Sequence, residues 1–267
     1  MTVEIQDTPL KYQFLELQQS KDPNALHEFL DNQNISDVAE LIYEFPEHEG
    51  EILGNLSIHR AISTFKILDS PTQKRITQEL SPSKTAELLN GLPADDRTSF
   101  LEDLPSEVVK ELIRMLDPDE RKITLSLLGY PESSVGRLMT PDYIAVQKDW
   151  TIRQVIRHIR DVGKDSETID VIYVVDEKGV FIDDIKIREI ILADPDKKIE
   201  DVIDNRYIYL NVDDDQETAS EAFKMNNRMA LPVLDNNKVL LGIVTIDDVL
   251  WVAQEEFTED IQKIGGT

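Results

Sequence analysis

The chain has no cysteine, only 10 glycines and 4 histidines, and no apolar run long enough to cross a bilayer. Without cysteine there are no disulfides and no thiolate metal site. Without a run of about 18 apolar residues no segment reads as membrane-spanning. The start, Met1-Thr2-Val3-Glu4-Ile5-Gln6-Asp7, lacks the basic and apolar regions of a secretion signal. No glycine-rich loop is built to cradle phosphate, and His27, His48, His59 and His158 show no His-Glu-x-x-His spacing and no nucleophile pattern. An enzyme is therefore not expected. Positive charge is scarce: 28 Lys and Arg stand against 53 Asp and Glu, a net charge of −25. Nucleic acid and anionic membrane surfaces are poor partners for such a chain, and cations are good ones. The acidic run Asp213-Asp214-Asp215-Gln216-Glu217 begins like a calcium loop, but its sixth position is Thr218 and its twelfth Lys224, so it does not continue as one.

What is present divides the 267 residues in two. In the first half leucines recur every twelve residues, at Leu56, Leu68, Leu80, Leu92, Leu104, Leu116 and Leu128. Prolines follow closely at Pro71, Pro82, Pro93, Pro105, Pro118 and Pro131. Ser70-Pro71-Thr72-Gln73 and Asp117-Pro118-Asp119-Glu120 each read as an N-cap, a proline at the first helical position and a capping-box partner. Twelve residues make a two-turn helix plus a turn, and stacked helical hairpins of this size make a superhelical body with a continuous core. Longer helical patterns over residues 11–45 read as the cap of the array.

The second half holds one unit twice. Leu231-Pro232-Val233-Leu234-Asp235, the turn Asn236-Asn237-Lys238 and Leu240-Leu241-Gly242-Ile243-Val244-Thr245 read as strand, turn and strand. The Ile246-Asp247-Asp248-Val249 stretch then opens a helix. A weaker copy lies 59 residues upstream, from Ile172 to Asp176 and from Val180 to Ile190. Each copy is led by a short strand (Tyr143–Val146, Tyr207–Leu210) and a helix, the first capped by Asp149. A β-α-β-β-α unit of this size is too small to cover both faces of its sheet, so the two copies are expected to pack together.

The Leu138-Met139-Thr140-Pro141 lead-in, the Leu-Pro-Val-Leu-Asp strand and the Gly242–Asp248 stretch resemble a tandem pair of CBS (cystathionine-β-synthase-type) modules. With the helical array before the pair and the ending Thr258-Glu259-Asp260-Ile261-Gln262-Lys263-Ile264-Gly265, nearly the whole chain resembles the cytosolic part of the MgtE magnesium channel and transporter family. The fold expected is α plus α/β. It comprises an all-helical superhelical domain over residues 1–133, CBS modules over 134–199 and 200–254, and the start of a connecting helix over 255–267. In that family a membrane pore follows. The resemblance implies a regulatory region on the cytoplasmic side of the membrane, soluble by itself, homodimeric through its CBS modules, and missing its C-terminal pore domain.

The resemblance also implies the ligands. Magnesium is bound by hard oxygens and keeps several waters, so one or two carboxylates suffice. Matching positions here are Asp95 in the array, Glu217 and Asp248 in the second module, and Glu256, Glu259 and Asp260 in the exit helix. Asn227 and Trp251 stand where the family carries aspartate. The alternative ligand is ATP or another adenine nucleotide. In nucleotide-binding CBS pairs a Thr-x-x-Asp motif holds the ribose, and Thr245 and Asp248 match it. Lys186 and Glu189 take those places in the first copy, with Asp183 at the glycine position. Carboxylates on facing bodies repel by about 1 kcal/mol per pair at 4 Å in bulk water. Cations that bind the closed form better shift the population toward it, which in the family closes the pore.

Overall fold

The computed structural model describes residues 9–20 and 22–250. Helices α1 to α10 span Leu10–Ser20, Pro23–Asp31, Ile35–Glu44, Glu49–Gly54, Ile58–Lys66, Ser70–Glu79, Pro82–Gly91, Ala94–Glu102, Ser106–Met115 and Pro118–Leu127. Contacts divide the chain into two units: residues up to Leu92 with Ser99–Lys122, and Pro93–Thr98 with the residues from Ile123 onward.

The first unit shows what the leucine beat does. Leu80, Leu92 and Leu116 are the C-caps of α6, α7 and α9, each in extended backbone conformation. The residue that ends one helix thus turns the chain toward the next. Leu68, Leu92 and Leu116 are buried among Phe14, Leu30, Ile42, Phe65, Ile76 and Leu89. Burying such a side chain contributes roughly 1.5–3 kcal/mol, enough to make each beat a packing anchor. One cap in this unit differs from expectation. Helix α6 is capped by Asp69, which accepts the Thr72 N–H at 2.8 Å, and Ser70 is its first residue. A carboxylate at this position satisfies the orphan donor and meets the helix dipole, so it outcompetes the neighbouring hydroxyl. Glu49 is fully buried in this unit, but Arg75 satisfies it through Nε at 2.9 Å and Nη2 at 2.7 Å.

The second unit is the repeated one. It runs α11 (Val135–Leu138), β1 (Ala145–Gln147), α12 (Ile152–Val162), β2 (Val171–Val175), β3 (Phe181–Lys186), α13 (Ile187–Leu192), β4 (Leu210–Asn211), α14 (Gln216–Asn226), β5 (Ala230–Leu234) and β6 (Leu240–Thr245). Residues 246–250 are helical. The lead-in strands start later than the pattern predicts, at Ala145 and Leu210, where parallel pairing with Tyr173 and Val233 begins. Helix α12 is capped by Thr151 rather than Asp149. Thr151 forms a capping box with Gln154, a reciprocal arrangement that Asp149 is two residues too early to make.

Each copy makes one three-stranded sheet, β1-β2-β3 and β4-β5-β6, parallel then antiparallel. The likeness extends to defects. Both hairpins shift register at the same place, between Val174 and Val175 and between Val233 and Leu234. Both turns are held by an aspartate: Asp176 accepts from Lys178 and Val180, Asp235 from Asn237 and Val239. Strands β2 and β5 are buried along their whole length, because each sheet is covered on both faces. One face packs on the module's own helices. The other forms a shared core of Val171, Tyr173, Val175 and Phe181 with Ala230, Leu234, Leu240 and Ile243.

Candidate functional site

The two copies lock together through their lead-in segments, and the lock differs between the halves. At the outer edge of β6, Ile243 exchanges two backbone hydrogen bonds of 2.9 Å with Thr140. The Thr140 carbonyl then lies so close that a Cβ on Gly242 would stand 2.7 Å from it. Only glycine admits that approach. Pro232 is tolerated in the middle strand because it faces Ile243, whose own backbone groups are spent on Thr140. In the other half Asp183 holds the glycine's place. Its buried carboxylate accepts the Asp184 N–H at 2.9 Å and the Asn205 N–H at 2.8 Å, replacing a direct backbone bridge by a side-chain one. Burial raises the Asp183 pKa, and the two N–H donors pull it back.

The Thr245 and Asp248 pair is formed, but its members are turned toward each other. The Thr245 hydroxyl donates to Asp248 Oδ2 at 2.5 Å, and the Thr245 N–H donates to the same oxygen at 3.2 Å. Burial pushes the Asp248 carboxyl up to about 7, against the pull of Thr245, and the charges of Asp247 and Asp96 push it further. Asp96 is near because the first turn of α8 belongs to this unit: Ala94 packs in one core with Val135, Met139, Val244 and Val249. Asp95 is buried in the same turn. Arg97, fully buried, donates from Nε to Thr124 at 2.8 Å.

Of the other expected metal ligands, Glu217 is exposed in the first turn of α14, where its N–H bonds the capping Asp215. Asp214 and Asp215 before it are engaged with backbone, Asp214 accepting the Asn211 N–H at 2.8 Å. Glu256, Glu259, Asp260 and Trp251 lie outside the described residues. Asn227 ends α14 with φ 46°, a left-handed conformation in which asparagine is better tolerated than most side chains. No group of three or more His, Asp or Glu stands close enough to hold a metal ion among the described residues.

A second feature lies in the first half. A crevice is lined by Asp184, Lys186, Glu189, Val202, Ile203, Asp204, Arg206 and Arg228. Glu189 accepts the Lys186 N–H at 3.2 Å. Arg228, from the second module, donates to Asp184 at 2.9 Å across the module junction. Burial raises the Asp184 pKa and Arg228 draws it down. The sequence motif pointed to Lys186 and Glu189 by their offset from Thr245 and Asp248. Asp96, Asp184, Arg206 and Arg228 carry no such signal, because only the fold brings them near.

Two sheets of this order, each hairpin joined to the other copy's lead-in, define a tandem CBS pair behind an array of short helices. Comparison with known proteins gives the same division. The MgtE intracellular N domain matches residues 33–133, and the CBS domain matches residues 135–196 and 199–255. The magnesium transporter MgtE of Thermus thermophilus is 35% identical over 251 residues, covering 92% of this chain and 56% of that protein. The magnesium transporter MgtE of Bacillus subtilis is 27% identical over 232 residues, 86% of this chain and 51% of that protein. A crystal structure of the cytosolic domain of the Mg2+ channel MgtE in complex with ATP superposes with a TM-score of 0.86 at 33% identity, covering 91% of this chain and 99% of that one. The chain belongs to the MgtE family. It spans about half the length of these two curated relatives. No helix among the described residues is long and apolar enough to cross a membrane.

Proposed function

We propose that this chain is the cytosolic magnesium-sensing and gating region of an MgtE-type magnesium transporter or channel, acting without catalysis. The observation that carries the reading is that acidic charge from two elements acts on one buried carboxylate, Asp248. The first turn of α8 brings Asp96 within electrostatic reach of Asp248 in the second CBS module, where Asp247 adds its charge. Magnesium binds through as few as one or two carboxylates and retains water, so Asp248 with one acidic neighbour suffices for this reading. Asp248 is held near the point of losing its charge by burial and by its acidic neighbours, and a divalent cation relieves that repulsion. Cation binding there neutralises these acids and favours the compact form of the chain, and its loss restores their repulsion. Glu217, Glu256, Glu259 and Asp260 are the further ligands of this reading. A pore domain following the chain would receive the signal, closing when magnesium is plentiful. Homodimerisation through the CBS pair is part of the proposal. It is supported by the exposed Ile191, Leu192 and Met225 on α13 and α14, since such side chains favour a partner over water.

Small-angle scattering with chelator and with millimolar magnesium tests both parts. The radius of gyration is expected to fall with magnesium, at a mass of two chains throughout. An unchanged radius defeats the sensor, and a single-chain mass defeats the dimer.

A second reading is an adenine-nucleotide sensor. The crevice favours it, as does the ATP complex of the similar MgtE domain. In this chain the crevice lies at Lys186 and Glu189, the first-copy counterparts of Thr245 and Asp248.

A further inference from the structure

The crevice in the first half contains its own counter-charges. Asp184, Glu189 and Asp204 stand against Lys186, Arg206 and Arg228, three against three. One ion pair is made within this set among the described residues, Arg228 with Asp184, their side chains 14% and 4% exposed. Arg228 also donates from Nη2 to the Arg206 carbonyl at 3.2 Å. The second oxygen of Asp184 is buried and has no hydrogen-bond partner. The Tyr173 hydroxyl, opposite it in the strand register, is in the same condition. A carboxylate so placed depends on its one cation, since a buried charge stripped of its partner is strongly unfavourable.

We propose that Asp184 is a built-in competitor for the anion site of this crevice. It occupies the Arg228 guanidinium that a phosphate-bearing ligand needs. Such a ligand binds by taking Arg228 over, and in doing so loosens the link between the two CBS modules. The choice of ligand rests on the nucleotide reading above; the competition rests on the ion pair. A guanidinium fork matches phosphate geometry and exchanges one anion for another without new desolvation of its own. The neutral lining provides no net field to draw an anion in. A polyphosphate has the advantage over a monoanion because Lys186 and Arg206 can hold its remaining charges. Occupancy of the crevice is thereby coupled to the junction that Arg228 spans.

The test is calorimetric titration of the full chain, in magnesium-free buffer, with ATP and with inorganic tripolyphosphate as probes. Asp184→Asn keeps the side-chain shape and releases the guanidinium, so at least one probe is expected to bind about fivefold tighter than to the wild type. Arg228→Lys keeps the charge opposite Asp184 but loses the fork, and is expected to weaken that probe about fivefold. Near-ultraviolet circular dichroism confirms that each variant is folded. If Asp184→Asn tightens tripolyphosphate while ATP does not bind, the nucleotide reading fails and the competitor stands. If neither probe binds Asp184→Asn more tightly than the wild type, absence of all binding included, the competitor is overturned. Should Asp184→Asn not fold, unchanged probe affinity in Arg228→Lys overturns it instead.

Discussion

Asp248 is a carboxylate whose surroundings oppose its charge. Its pKa near 7 lies above the ordinary carboxylate value, so the folded chain holds a proton that the unfolded chain has released. Its contribution to stability is therefore full below about pH 4 and is lost as pH rises toward 7, with a slope of at most about 1.4 kcal/mol per pH unit. Urea denaturation at pH 5 and pH 8 is expected to show this loss in the wild type and not in Asp248→Asn. Equal slopes in the two proteins would remove Asp248 as its source. Added magnesium at pH 8 is expected to stabilise the wild type more than the variant. Gly242 gives a second residue-scale test. Gly242→Ala places a Cβ 2.7 Å from the Thr140 carbonyl and 3.0 Å from Met139 Sδ. Since the backbone cannot yield as a side-chain tip can, a loss of about 1–3 kcal/mol is expected in the same assay. A loss no greater than that of an exposed control substitution would show that Thr140 shifts freely.

At the scale of elements, the sequence was most readable where structure is local. The leucine beat located the short helices because Leu80, Leu92 and Leu116 each end a helix and Leu92 and Leu116 also fill the core. The hairpins were readable because Asp176 and Asp235 begin the same aspartate-held turn. Helix starts were misplaced by one or two residues where several capping side chains crowd together, as with Asp69 and Ser70 or Asp149 and Thr151. Local pattern cannot say which of them the backbone will use. Thr151→Ala removes the hydroxyl that accepts the Gln154 N–H, leaving the reciprocal bond from the residue 151 N–H to the Gln154 side chain, and is expected to cost about 1 kcal/mol, whereas Asp149→Ala is expected to be near neutral. Thermal melts of the two variants check this, and equal shifts would return the cap to Asp149.

At the scale of the whole molecule, the order of array and CBS pair was legible through family resemblance, and Asp95 and Asp248 were legible as acids. What brings Asp96 toward Asp248 was not, because it depends on the first turn of α8 packing with the second module. The crevice was half legible. Lys186 and Glu189 follow from the repeat, but Arg228 lies 44 residues from Asp184 and belongs to the other copy. A pattern read along the chain has no means of pairing them. The same exchange between copies occurs at the hairpin tips. Phe181 donates its N–H to the Lys238 carbonyl at 2.9 Å, and Leu240 donates to the Gly179 carbonyl at 3.0 Å. Each hairpin is completed by its sibling, so neither copy is a self-sufficient cassette. Excising one would strip the survivor of a mate for its backbone as well as for its apolar face, and a recombination or engineering boundary drawn between the copies would cut through the fold.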